Sequence, residues 1–312
     1  MGSARWDAAD WTRYTASAAG KSRSAIFASR TVPDDLDPKN FKIRESRDSV
    51  ANPNSTAIII GADVTGSMGF IAEALVRKGI GTAFEEILRR AADPAGRMVP
   101  DPHLLVMAIG DVECDHGPVQ ATQFEADISI AQQLERVWLE GGGGGNSYES
   151  YCAAWYFGAM RTSIDCWEKR HKKGFLFTVG DEPPPPGLKR ADIERFLGDE
   201  VQQDLTSRQL LQTAEQMFHV FHIVVEEGSF ARRNLPAVME PWRDLLGQRV
   251  LSLADHTKLA EVIVSAIEVT EGRTVADTAA SWSGGTALVV ANALKGLVPS
   301  TRPAPGGVVR FS

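Results

Sequence analysis

The chain has 312 residues, enough for one large domain with extensions or for two small domains, and in either case for a substantial buried core. Hydrophobic residues at 43% and charged residues at 23% are the balance of an ordinary soluble globular protein, which excludes a disordered or fibrous chain. A formal charge of -7 argues against sequence-independent nucleic-acid binding, which needs a basic surface, and favours metal cations or basic partners.

Residues 1–52 are polar and punctuated by DDLDPKN and ANPN, with Trp6, Trp11, Tyr14 and Phe27 too aromatic for a free linker and expected to dock on the main domain. Gly20-Lys21-Ser22 lacks the upstream glycine of a phosphate-binding loop, since Thr15 stands there, and reads as part of a solvated arm. The opening MGSARWDAADWTRY has no apolar h-region and no uncharged apolar run of 18 residues occurs, so neither a signal peptide nor a membrane span is expected.

Residues 57–69, AIIIGADVTGSMG, are the centre of the pattern. An apolar run bounded by glycine reads as a strand buried on both faces, and the turn after it carries Asp63, Thr65 and Ser67. In an open α/β sheet ligands bind at such carboxyl ends, where two loops diverge. Residues 68–92 have helical spacing, with Gly79 and Gly81 as bending points, and 103–110 form a second apolar strand. The acidic turn that follows, Asp111 to His116, reads as a solvated loop flanking the site, because adjacent residues converge poorly on one ion.

Residues 119–126 are predicted as an edge strand and 128–140 as an amphipathic helix. Five glycines at 141–145 then precede Asn146, Ser147 and Glu149, which offer side-chain oxygens; no lysine follows in the place a phosphate cradle needs. The aromatic stripe of 148–167 suits a buried helix. Residues 173–180 form the next strand, ending in Asp181-Glu182 and four prolines that stop the chain continuing as strand or helix.

Helices are expected near 188–197, 207–218, 231–246 and 256–271, and strands at 219–227 and 249–253, with His219 and His222 as hydrogen-bonded strand residues. Six strands interleaved with helices give a doubly wound, mostly parallel α/β sheet with helices on both faces. The expected division is an extension at 1–52, a main domain at 53–272 and a tail at 273–312 that holds Trp282, a short apolar helix at 286–297 and an irregular end. Cys114, Cys152 and Cys166 match no zinc spacing and cannot all pair, so they read as reduced thiols in a cytoplasmic protein.

Asp63-Val64-Thr65-Gly66-Ser67 resembles the Asp-x-Ser/Thr-x-Ser motif that opens the metal-ion-dependent adhesion site (MIDAS) of von Willebrand factor type A (vWA) domains, and Asp181 falls where those Rossmann-like domains place their third-loop acid. Their second loop supplies a Thr; here Asn146, Ser147 and Glu149 stand in that region. A Gly-rich loop running into a carboxylate-bearing helix looks most like the vWA domains associated with α-kinases and their bacterial and phage relatives. Hydroxyl and carboxylate oxygens select a hard cation, Mg²⁺ with Ca²⁺ or Mn²⁺ as alternatives.

The resemblance implies a non-enzymatic protein-binding module in which an Asp or Glu of a partner fills an open metal position, with an AAA+ ATPase assembly as one setting. Neither nucleic acid nor membrane is expected as a partner. One alternative is a haloacid-dehalogenase-like phosphohydrolase with Asp63 as nucleophile, but Thr65 stands where its general acid belongs and a hydroxyl does not protonate a leaving group at neutral pH. The other is a purely structural assembly subunit.

Overall fold

The computed structural model describes residues 4–66, 68–92, 98–141 and 146–300; Ser67, the glycines at 142–145 and the tail beyond 300 lie outside the described residues. The central strand, β1 (Ser55–Asp63), is buried along its whole length. Because strand side chains alternate, Ile58, Ile60 and Ala62 enter one apolar cluster while Ala57 and Ile59 enter the other.

The sheet is completed by β2 (Asp101–Ile109), β3 (Val119–Ala121), β4 (Gly174–Gly180), β5 (Phe218–Val225) and β6 (Val250–Leu253), in the spatial order β6-β5-β4-β1-β2-β3. All neighbours are parallel except β3, which runs antiparallel to β2 at the edge. The six expected strands are all present. From β1 the chain builds outward through β2 and β3, then crosses back to β4 and builds the other way. The order therefore reverses between β1 and β4, and the loops after these two strands part to leave a crevice.

Gly69–Ala74, Ile80–Ala91, Ser129–Leu134 and Leu259–Thr270 cover one face of the sheet, and Cys152–Met160, Arg190–Leu197, Ser207–Met217 and Leu235–Leu246 cover the other. Gly61 lets Cys152–Met160 lie close, since a Cβ there would stand 3.0 Å from that of Ala154. Among the described residues no helix is long and apolar enough to cross a membrane.

Several elements differ from their expected extents, among them the helix expected over 128–140, which covers only Ser129–Leu134. The helix expected over 68–92 is divided by a π-helical stretch, Leu75–Gly79, and at Gly81 the arm's Trp11 ring occupies the place a Cβ would take. The helix expected over 148–167 stops at Met160, and Thr162–Ile164 instead pairs in parallel with Arg44–Ser46 of the arm. The strand expected over 119–126 ends at Ala121, leaving only an isolated bridge between Leu104 and Glu125.

The arm itself contains a helix, Ala8–Ala18, capped by the Asp7 carboxylate. Trp6 stacks on Phe84 with ring centroids 4.6 Å apart, and the Tyr14 hydroxyl donates to Glu135 at 2.9 Å. Beyond 272, Gly285–Ala293 carries Val290 and Ala293 into the same apolar cluster, joined by Leu294 and Leu297.

Candidate metal centre

Asp63 closes β1 and is fully buried. Its Oδ1 accepts the Thr65 backbone N–H at 2.9 Å and the Thr65 hydroxyl at 2.7 Å, so the hydroxyl proton is turned toward Asp63 and the lone pairs are left for another partner. Its Oδ2 accepts the Tyr151 hydroxyl at 2.9 Å. Tyr151 reaches that oxygen across Gly180, where a Cβ would stand 2.1 Å from the phenolic oxygen; only glycine leaves the ring this path.

Asp181 follows β4 directly, is buried, and accepts the Phe230 N–H at 2.7 Å through Oδ2. Gly228 packs on it so closely that a Cβ would lie 2.2 Å from the Asp181 Cβ. The Gly-rich loop contributes unevenly. Asn146 is half-buried and donates to Glu113 at 3.4 Å, and Ser147 is exposed. Glu149 is only 4% exposed and its Oε2 has no hydrogen-bond partner. Asp63, Thr65, Glu149 and Asp181 thus share one edge of the sheet, whereas Asn146 and Ser147 are turned to its rim; Ser67 lies outside the described residues.

Two more carboxylates reach the same place. Asp111 follows β2 after one intervening residue, Gly110, is fully buried, and has an unpartnered Oδ2; Glu182 has a buried, unpartnered Oε2. The turn at 111–116 is therefore not the solvated loop expected of it, since Asp111 and Asp115 are buried while Glu113, Cys114 and His116 are exposed. The sequence signal for Asp111 is the Gly-Asp that ends both apolar runs, at 110–111 and 180–181. Tyr151 has no comparable signal, because its helical spacing marks it only as core.

Burial pushes Asp63, Asp181, Glu149 and Glu182 upward. Asp63 is raised by burial, against its hydrogen bonds from Thr65, and Asp181 is raised for the same first reason. Glu149 is raised by burial and then by the charges of Asp63, Glu182 and Asp111. Glu182 is pushed up to about 7 by burial, Asp63, Asp181 and Asp111. Among the described residues the ion pairs lie elsewhere, joining Arg47 to Asp165, Arg90 to Glu268 and Lys189 to Glu113.

Buried carboxylate oxygens without donors are costly unless a cation meets them, and an all-oxygen set fits Mg²⁺, Ca²⁺ or Mn²⁺. Without an ion the acids repel one another. Among the described residues the group of His, Cys, Asp or Glu whose ligand atoms all lie within 4.8 Å of one another is a different one, Glu227, Asp255 and His256. That group is already satisfied internally: Glu227 accepts from the His256 backbone and ring at 2.6 and 2.8 Å, and Asp255 caps the following turn.

No protein-family model matches the chain, and no curated protein sequence matches it. Among solved structures it is similar to the pilus adhesin SpaC from Lactobacillus rhamnosus GG, at 9% identity and a TM-score of 0.42, over 69% of this chain and 31% of that one. It is also similar to proximal thread matrix protein 1 from the mussel byssus, at 12% identity and a TM-score of 0.39, over 69% of this chain and 47% of that one. A structure of the same byssus protein with a zinc occupied MIDAS motif shows 10% identity, the same TM-score of 0.39 and the same coverage of 69% and 47%. The chain spans less than half the length of each. Likeness this slight carries no weight for ligand or partner.

Proposed function

We propose that this protein is a vWA-like, non-catalytic interaction module that docks a partner protein through a hard divalent cation, with Mg²⁺ the first candidate and Ca²⁺ or Mn²⁺ the alternatives. Asp63, Thr65 and Asp181 hold the cation, joined by Ser67 of the same turn and by Glu149, in place of Asn146 or Ser147, from the Gly-rich loop. The observation that carries this reading is the placement of Asp63 and Asp181 at the ends of adjacent parallel strands where strand order reverses, both buried, with the buried, unpartnered Glu149 carboxylate feeling the charge of Asp63. Neutral hydroxyl ligands leave the ion enough positive field to attract an Asp or Glu from the partner. An intracellular setting accords with three cysteines that form no disulfide among the described residues, and an AAA+ assembly is one candidate partner.

Thr65, whose hydroxyl donates to Asp63, stands where a haloacid-dehalogenase-like phosphohydrolase needs its general acid, which disfavours Asp63 as a nucleophile. Capture of partners from native lysate with and without EDTA tests the reading. Binding that needs Mg²⁺ and disappears in Asp63→Ala is the expected result. Partners indifferent to both would leave a structural subunit, and phosphatase turnover abolished by Asp63→Asn would make the protein an enzyme.

A further inference from the structure

Two exposed arginines lie at the turns that carry the metal-site acids. Arg233 belongs to the turn that wraps Asp181: its N–H donates to the Phe230 carbonyl at 3.0 Å, the Phe230 N–H donates to Asp181 Oδ2 at 2.7 Å, and Gly228 packs against the Asp181 side chain. Burial raises the Asp181 carboxyl and the Arg233 charge draws it back down, so the guanidinium is within electrostatic reach of that acid. Arg233 is nevertheless exposed and makes no ion pair among the described residues.

Arg23 comes from the arm. A Cβ on Gly69, two residues past Ser67, would lie 3.5 Å from its Nη1. Its Nε donates to Glu73 at 2.8 Å, and Arg77 takes the other Glu73 oxygen at 2.8 Å while giving its remaining nitrogens to the Ala18 and Lys21 carbonyls. Two guanidiniums therefore share one carboxylate, and the positive charge left in surplus is on the exposed one, Arg23. Gly69–Ala74 covers one face of the sheet, and Leu235–Leu246, which the Arg233 turn leads into, covers the other. The two arginines thus flank the Asp63 and Asp181 end of the sheet from its two faces.

Metal binding alone does not account for them, because a guanidinium within reach of a dication repels it. What they favour is a ligand carrying more negative charge than one carboxylate, since the planar fork of arginine takes a carboxylate in two parallel hydrogen bonds. Resting on the reading of a cation at Asp63 and Asp181, we propose that the partner offers an acidic segment: the carboxylate that meets the cation is flanked by further Asp or Glu side chains, and Arg23 and Arg233 pair with those flanking acids. The two arginines also offset the repulsion that Asp111, Glu149 and Glu182 exert on the added negative charge.

The test uses the full chain at saturating Mg²⁺ and two fluorescent peptides, one with a single Asp among Gly and Ser and one with the same Asp set between Glu residues, read by fluorescence anisotropy. The Glu-flanked peptide should bind more tightly and be released by EDTA. Arg23→Gln and Arg233→Gln should each weaken it by about two- to fivefold and leave the single-Asp peptide little changed, and added salt should narrow the gap between the peptides. Lys172→Gln removes an exposed charge from the other end of β4 and should alter neither peptide. Urea unfolding checks that each arginine variant folds; if one does not, the other decides. No binding of the Glu-flanked peptide, equal binding of both peptides, an affinity unchanged in the arginine variants or a loss of the same size in Lys172→Gln would overturn the acidic segment and leave the proposed function standing. Binding indifferent to EDTA would overturn the cation itself, and this inference with it.

Discussion

In EDTA, Glu182→Gln should be more stable than the wild-type protein at high pH and equal to it at low pH. Burial, then Asp63, Asp181 and Asp111, push the Glu182 carboxyl up to about 7 from its ordinary 4.5. A carboxyl whose pKa is higher folded than unfolded holds its proton more tightly in the native state. Its stabilising contribution is therefore fully present below about pH 4.5 and is lost as pH rises through about 7. A shift of about 2.5 units corresponds to about 3 kcal/mol, and on the order of 2 kcal/mol after allowance for the part of the side chain that meets solvent.

Three histidines act in the opposite sense, since burial holds His103 down to about 4, His219 down to about 3 and His222 well below its usual value. Stability from them is present above about 6.5 and is lost as pH falls. The comparison with Glu182→Gln cancels them, because both proteins carry the same histidines. The assay is urea unfolding in EDTA at pH 5, 6.5 and 8.5, followed by tryptophan fluorescence. The two proteins should coincide at pH 5, and at pH 8.5 the variant's midpoint should be higher by on the order of 1 M. Saturating Mg²⁺ at pH 8.5 should stabilise the wild-type protein by about 2.7 kcal/mol at a hundredfold excess over Kd. A difference between the two proteins that does not change with pH, or that favours the wild type at pH 8.5 in EDTA, would refute the claim that Glu182 faces other acids without a counter-charge.

Tyr151→Phe removes the donor to Asp63 Oδ2 and should cost about 1.5–3 kcal/mol in urea unfolding; because that bond favours the ionised acid, Mg²⁺ affinity measured by calorimetry should fall as well. Gly180→Ala sets a methyl 2.1 Å from the Tyr151 oxygen with no solvent for the ring to move into, so a loss of about 1–3 kcal/mol or more is expected in the same assay. Arg90→Ala should cost about 3 kcal/mol. Arg90 is buried, pairs with Glu268 at 2.6 Å and lies 4.3 Å from the Trp282 ring centre, and its loss leaves Glu268 with Arg273 as its remaining partner.

The sheet was legible in the sequence because it rests on short-range signals. Apolar runs such as 57–62 and 103–109 are buried on both faces wherever they lie in a parallel sheet, and the glycines and acids that end them mark the edge where loops carry chemistry. Asp63 and Asp181 stand out for that reason. Which oxygens turn inward was a different matter. Asn146, Ser147 and Glu149 are near-equivalent donors on paper; the clamp of Ser150 to the loop at 110–112 accompanies the inward turn of Glu149, while Asn146 is held at the rim by Glu113. Asp111 is buried and Tyr151 bonds Asp63 through contacts that join residues 38 and 88 positions apart. The helix expected over 148–167 stops at Met160 because a strand of the arm, more than 100 residues earlier, takes up the next segment. Periodicity records what a residue's neighbours in sequence prefer, but burial and side-chain direction are set by whichever distant segment packs against it, and that is decided only when the chain closes on itself.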